Sequence, residues 1–183
     1  MTAVETYKVR IQGTRPLLMH RPNGLGEGKT RRAQKHDPEE EAAAAVYRDA
    51  NGNIVVPALN ILASLRKAAS DFRVAGKGKK TFKNYIYAGV QIEPMEIPLQ
   101  YEPNGDKPWA VDVRPCVVQR SRIMRARPRF DKWALEFKIH IVDPVISPDS
   151  LKAILEAAGR YVGLCDFRPL FGLFKVVEFE QVS

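Results

Sequence analysis

Cysteine is scarce in this chain. Cys116 and Cys165 are the two among 183 residues, and neither stands at metal-ligand spacing from the other or from the scattered His20, His36 and His140. That excludes a disulfide scaffold and a zinc-finger pattern, and leaves two free, buried thiols as the expectation. Long apolar runs are missing as well. Nothing approaches the ~18 consecutive apolar residues of a membrane span, and the opening MTAVETYKVRIQG has no apolar core of signal-peptide length. The expectation is a cytoplasmic, reducing setting with no membrane. A phosphate-binding loop is absent too, because GLGEGKT puts one residue between Gly26 and Gly28 instead of the spacing that cradles phosphates. No Ser-His-Asp pattern is legible, and neither a cofactor nor a metal is expected.

Acid is absent from one place above all. RPCVVQRSRIMRARPRF, residues 114–130, holds Arg114, Arg120, Arg122, Arg125, Arg127 and Arg129 and no carboxylate. The whole chain carries a formal net charge of +8, a pI near 9.6 and a 45% hydrophobic share. It can bury a sizeable core as one domain, residues 1–183, and its excess charge is local.

Hydrophobic periodicity orders the rest. Tyr7, Val9 and Ile11 alternate with Lys8, Arg10 and Gln12, a half-buried strand. Residues 20–36 are charged and nearly free of apolar side chains, and read as a loop. DPEEEAAAAVY carries an N-cap Asp37, Pro38 at the first helical position and three glutamates in the first turn. A turn at Asn51-Gly52 leads to a strand at Ile54–Val56, and Ala58, Ile61, Leu62, Leu65, Ala69 and Phe72 then recur at helical spacing. NYIYAGVQIEPMEIPLQY reads as one strand or two short ones. WALEFKIHIVD is the clearest strand, SPDSLKAILEAAGRYVG the clearest helix, with Ser147 as cap, and FGLFKVVEFEQV a closing strand.

Stripped of insertions, this order is β-α-β-β-α-β. The expected fold class is therefore α+β, a modified ferredoxin-like or RRM-like domain. Two charged insertions interrupt it: 20–56, a loop with a short helix or hairpin, and 95–130, a basic β-hairpin. In the hairpin Val111 and Val113 are expected to pack inward. Arg125, Arg127 and Arg129 share one face, with guanidinium groups about 6.6–6.8 Å apart from the strand rise, close to phosphate spacing along an extended strand.

At this point the chain resembles a known family. GTRPLLMH ends the first strand and leads into an insertion. IVVPALNILASLRKAASDF is a strand, a proline and a basic-ended helix. A long basic hairpin separates two core strands, and YVGLCDFRPLFGLFKV is a glycine-containing loop before the last strand. These features resemble the RAMP superfamily, the modified RRM-like proteins of CRISPR systems, and most of all their backbone subunits. The short length also suits a phage or mobile-element relative.

The resemblance implies a protein that binds single-stranded RNA or DNA and lines up side by side along it. The hairpin would reach a neighbouring subunit, where the acidic DPEEE segment could meet it. The candidate nucleic-acid-binding residues are Lys8, Arg10 and Lys138 on the sheet, Arg66 on the first core helix, and Lys77, Lys79, Lys80 and Lys83 in the following loop. Arg114, Arg120, Arg122, Arg125, Arg127 and Arg129 in the hairpin and Arg168 in the last loop complete the set. Ile123 and Met124 are candidate wedges between bases and Phe82 a candidate stacking platform, with Tyr85 and Tyr87 beside the same lysines. Two other readings stay open. One is an endoribonuclease of the same superfamily that processes guide RNA, for which His20, His36 and Asp37 are the candidate catalytic groups. The other is a phage or mobile-element interaction module whose basic arm binds an acidic protein.

Overall fold

The computed structural model describes residues 4–22 and 37–182. Its central sheet is built from β1 (Glu5–Gly13), β4 (Val90–Glu93), β9 (Trp133–Ile141) and β10 (Phe174–Val182). Their spatial order is β10-β1-β9-β4, and each neighbouring pair is antiparallel. Two helices, α2 (Ala58–Ala68) and α4 (Pro148–Ala157), pack on one face and against each other. This is the ferredoxin-like, RRM-like βαββαβ arrangement.

The periodicities account for it. In β9, Trp133, Leu135, Phe137, Ile139 and Ile141 are buried, while Lys138 is exposed and Glu136 and His140 are half-buried. The same period of two buries Tyr7, Val9 and Ile11 in β1. Ile61 and Leu65 of α2 and Leu151, Ile154 and Leu155 of α4 face that layer with no exposure. Fully burying such a side chain contributes about 1.5–3 kcal/mol. Ser147 caps α4 by accepting from the Ser150 amide at 3.2 Å, with Pro148 in the first position. Gly13 has to be glycine, because a Cβ there would stand 2.2 Å from Trp133 Nε1.

One stretch departs from the sequence reading. Residues 84–89 were expected to open a strand, after a basic loop running through Lys83. Residues 82–89 instead form a 3₁₀ turn at Phe82–Asn84 and a single helical turn, α3 (Ile86–Gly89), before β4 begins. Phe82 and Ile86 are four residues apart and both buried, so the local period is helical and both pack toward α2.

The chain between β4 and β9 leaves the central sheet and returns. β5 (Glu96–Pro98) pairs with β3 (Val55–Pro57), and β6 (Gln100–Tyr101) pairs with the start of β9. Next comes the hairpin, β7 (Ala110–Val118) and β8 (Ser121–Phe130), in continuous register from Ala110↔Arg129 to Val118↔Ser121. Its two-residue turn, Gln119 at φ 47° and Arg120 at φ 68°, is left-handed at both positions, as a type I′ turn requires. β2 (Leu17–Leu18) adds to the outer edge of β8. The short helix α1 (Pro38–Ala44) lies against β8 and β7, with Asp37 accepting from the Glu39 amide as its cap.

Candidate nucleic-acid interface

The hairpin register assigns its side chains to two faces. Asp112, Arg114 and Cys116 share one with Arg129, Arg127, Arg125 and Ile123. Val111, Val113, Pro115 and Val117 share the other with Pro128, Ala126, Met124 and Arg122. The loop before β10 covers the first face, which inverts the expected packing of β7. Asp112 is buried at 6% exposure, and Val113 is 42% exposed. The buried acid is held by charge: Arg114 donates to both Asp112 oxygens at 2.6 and 3.0 Å, and the Arg129 guanidinium lies 3.6 Å away.

The six arginines therefore divide. Arg114 stacks over Phe171 at 4.8 Å, Arg129 donates to Asp131 at 2.7 Å, and Arg127 is buried, paired with Asp166 and 5.6 Å over Phe167. The run itself contains no acid. The structure supplies three from outside it: Asp112 and Asp131 from just beyond its two ends, and Asp166 from the loop before β10. Arg127 is thus not open to a ligand, contrary to its expected place in an exposed arginine row, because the loop at 163–172 closes over it.

At the other end of the hairpin the charges are open. Arg120 and Arg122 are exposed, with no ion pair among the described residues. Beside them Met124 is 53% and Val117 69% exposed, and Ile123 is half-buried. Arg125 stands between the two regimes. Its guanidinium donates to His20 Nε2 at 3.1 Å. Burial, reinforced by the Arg125 charge, holds the His20 pKa below its ordinary value. His20 Nδ1 is buried without a hydrogen-bond partner among the described residues.

The remaining candidates fall on three surfaces. On the open face of the central sheet, Lys8 pairs with Glu178 at 3.0 Å and Glu136 at 3.6 Å. Arg10 reaches Glu136 at 3.3 Å and Gln100 at 2.8 Å. Lys138 lines a shallow cavity of about 370 Å³ with Lys8, Glu93 and Gln100. Cations on this face thus sit among glutamates. Arg168 is exposed in the loop before β10. Arg66, Lys77, Lys79, Lys80 and Lys83 lie on α2 and the loop after it; all four lysines are exposed. Phe82, the expected stacking ring, is 6% exposed and belongs to the core. The aromatic faces beside that loop are those of Tyr85 and Tyr87, which the sequence already sets next to the lysines together with Phe82.

His36 lies outside the described residues. Asp37 is engaged as the α1 cap. His140 meets Thr6 Oγ1 at 2.9 Å and Glu93 at 3.1 Å. Among the described residues no three His, Cys, Asp or Glu side chains gather as metal ligands. The acidic helix α1 engages its own hairpin. Glu39 pairs with Lys107 at 2.5 Å, and Glu41 accepts from the Ala126 amide at 3.1 Å on the outer edge of β8.

No helix among the described residues is long and apolar enough to cross a membrane. No family model and no curated protein matches the sequence. By structure, the chain is similar to a chain in the cryo-EM structure of the Type III-B Cmr-beta bound to cognate target RNA, with a TM-score of 0.64 and 12% sequence identity. The match covers 98% of this chain and 61% of that one, so this chain spans about three fifths of its neighbour's length. The likeness is one of fold.

Proposed function

We propose that this protein is a RAMP-type subunit that binds single-stranded nucleic acid, RNA in the first instance, and lines up with further copies along it. The observation that carries the reading is the open end of the hairpin, where Arg120 and Arg122 stand exposed, with no ion pair among the described residues, beside exposed apolar side chains. Elsewhere in the hairpin every arginine has a partner. Holding two unpaired guanidinium groups together costs electrostatic free energy, which a polyanion would recover. Guanidinium forks bind phosphate bidentately and stack on exposed bases, and Met124 and Ile123 could enter between bases.

The structural neighbour supports the RNA choice, since it was seen in a complex bound to target RNA. Self-association is proposed through surfaces other than α1, because Glu39 and Glu41 already engage Lys107 and the Ala126 amide of this chain.

Fluorescence anisotropy at matched salt tests the proposal. Single-stranded RNA is expected to bind more tightly than duplex of equal length, with an affinity that falls steeply with salt. Equal or tighter duplex binding sinks it. Cleavage of the RNA without added metal would favour the endoribonuclease reading, and binding to an acidic protein but to no oligonucleotide the interaction-module reading.

A further inference from the structure

The positive charge of this chain is not concentrated where the arginine run suggests. The hairpin is largely neutralised by Asp112, Asp131 and Asp166, and Lys8 and Arg10 of the sheet meet glutamates. A different surface is left uncompensated. Residues 66–83 contain seven cations and a single acid, Asp71, and none of the seven makes an ion pair among the described residues.

This surface is a built one. The loop from Phe72 to Phe82 is closed by main-chain hydrogen bonds, Val74 to Lys80 at 2.9 Å and Phe82 to Phe72 at 3.0 Å. Val74 and Phe82 anchor it in the core. Gly76 at φ 73° and Gly78 at φ 62° take the left-handed turns that present Lys77, Lys79 and Lys80 outward. Two tyrosines stand beside the lysines with cations already over their rings. The Arg66 guanidinium is 5.0 Å from the Tyr87 ring centroid, and the Lys77 ammonium 5.0 Å from that of Tyr85. Tyr87 is 56% exposed.

Cations flanking accessible aromatic rings are the chemistry that holds a single strand: phosphates meet the ammonium groups and unstacked bases lie on the rings. We infer that the helix-side surface formed by Arg66, Lys79, Lys80, Lys83, Tyr85 and Tyr87 is a second single-strand-binding site, separate from the hairpin tip. The inference rests on the single-strand reading above, but it concerns residues the hairpin does not use. α2 and the loop after it pack on the helix layer of the central sheet, whereas the hairpin belongs to the three-stranded sheet with β2. A strand engaging both would be bent around the molecule, or two strands would be held at once.

Two variants of the full chain separate the sites. The probe is a labelled oligouridylate long enough to span the molecule, titrated over a range of salt. Lys79→Glu with Lys80→Glu is expected to lower the salt-dependence slope by about 1.4, from about 0.7 per phosphate contact on a single strand. Tyr87→Ala is expected to weaken binding ~5-fold or more, with Tyr87→Phe retaining affinity. Melting temperatures should stay at the parent value, since these side chains are exposed. If the patch variants bind like the parent while hairpin-tip variants lose affinity, the patch is only a solvated face and the inference falls, leaving the hairpin reading intact. If the reverse holds, the patch stands and the hairpin reading falls. Equal loss on duplex, with Tyr87→Ala silent, overturns the inference in favour of a general polyanion surface. No binding of any oligonucleotide overturns both.

Discussion

Arg127 of β8 and Asp166 of the loop before β10 form an ion pair beneath the hairpin, with the Arg127 side chain 4% exposed and Phe167 stacked on it. This pair ties the inserted hairpin to the last loop of the core. It also commits to structure an arginine that the sequence offers for binding. Asp166→Asn removes the counter-charge and leaves a buried guanidinium unpaired, and breaking such a pair costs about 3 kcal/mol, the low end of its range. In a chain of this size each kcal/mol moves Tm by about 2–4 °C. Calorimetry should show Tm lowered by several degrees; an unchanged Tm would mean that the pair contributes nothing.

The hairpin tip should behave in the opposite way. Arg120→Glu with Arg122→Glu touches two exposed side chains that make no ion pair among the described residues, so stability should stay within about 0.5 kcal/mol. Binding should weaken, and the salt slope on single-stranded RNA should fall by about 1.4. Thermal melts and anisotropy on the same sample check this, and a collapse of melting would show the tip to be structural.

Stability should decline on acidification through His20. Its pKa is lowered in the fold by burial and by Arg125, so the unfolded chain binds the proton first. Unfolding then becomes easier as pH falls below the unfolded value of about 6.5 and on through the folded one. Above that window the contribution is fully present. A Tm series from neutral to mildly acidic pH should slope downward in the parent and less steeply in His20→Gln. The same slope in both proteins would exclude His20 as the cause.

Gly13→Ala should destabilise through packing. The new methyl would lie within 2.6 Å of three Trp133 ring atoms, and that ring is held by its own bond from Nε1 to the Arg15 carbonyl at 2.9 Å. Overpacking of this kind costs about 1–3 kcal/mol. Chemical denaturation would register it as a lower midpoint with an unchanged slope; a parent-like midpoint would show that Trp133 can move.

Much of the fold is legible in the sequence because its signals are local. The period of two in residues 133–141, the helical stripe Leu151, Ile154, Leu155, and the caps Asp37 and Ser147 each follow from neighbours a few positions away. The order of those elements was enough for βαββαβ. The two strands of the hairpin could be read from alternation too, but not which of its faces packs inward. The tertiary structure decided which charges are free. Charge neutralisation acts through space, so Asp166 could reach Arg127 and Glu178 could reach Lys8 only once distant segments were packed together. For the same reason Phe82 went to the core and Tyr87 to the surface, since a ring in a short apolar stretch takes its side from what packs above it. Sequence alone thus fixes how many cations this protein carries. Packing decides that Arg120, Arg122 and the lysines after α2 remain open, because no acid among the described residues comes close enough to offset their charge.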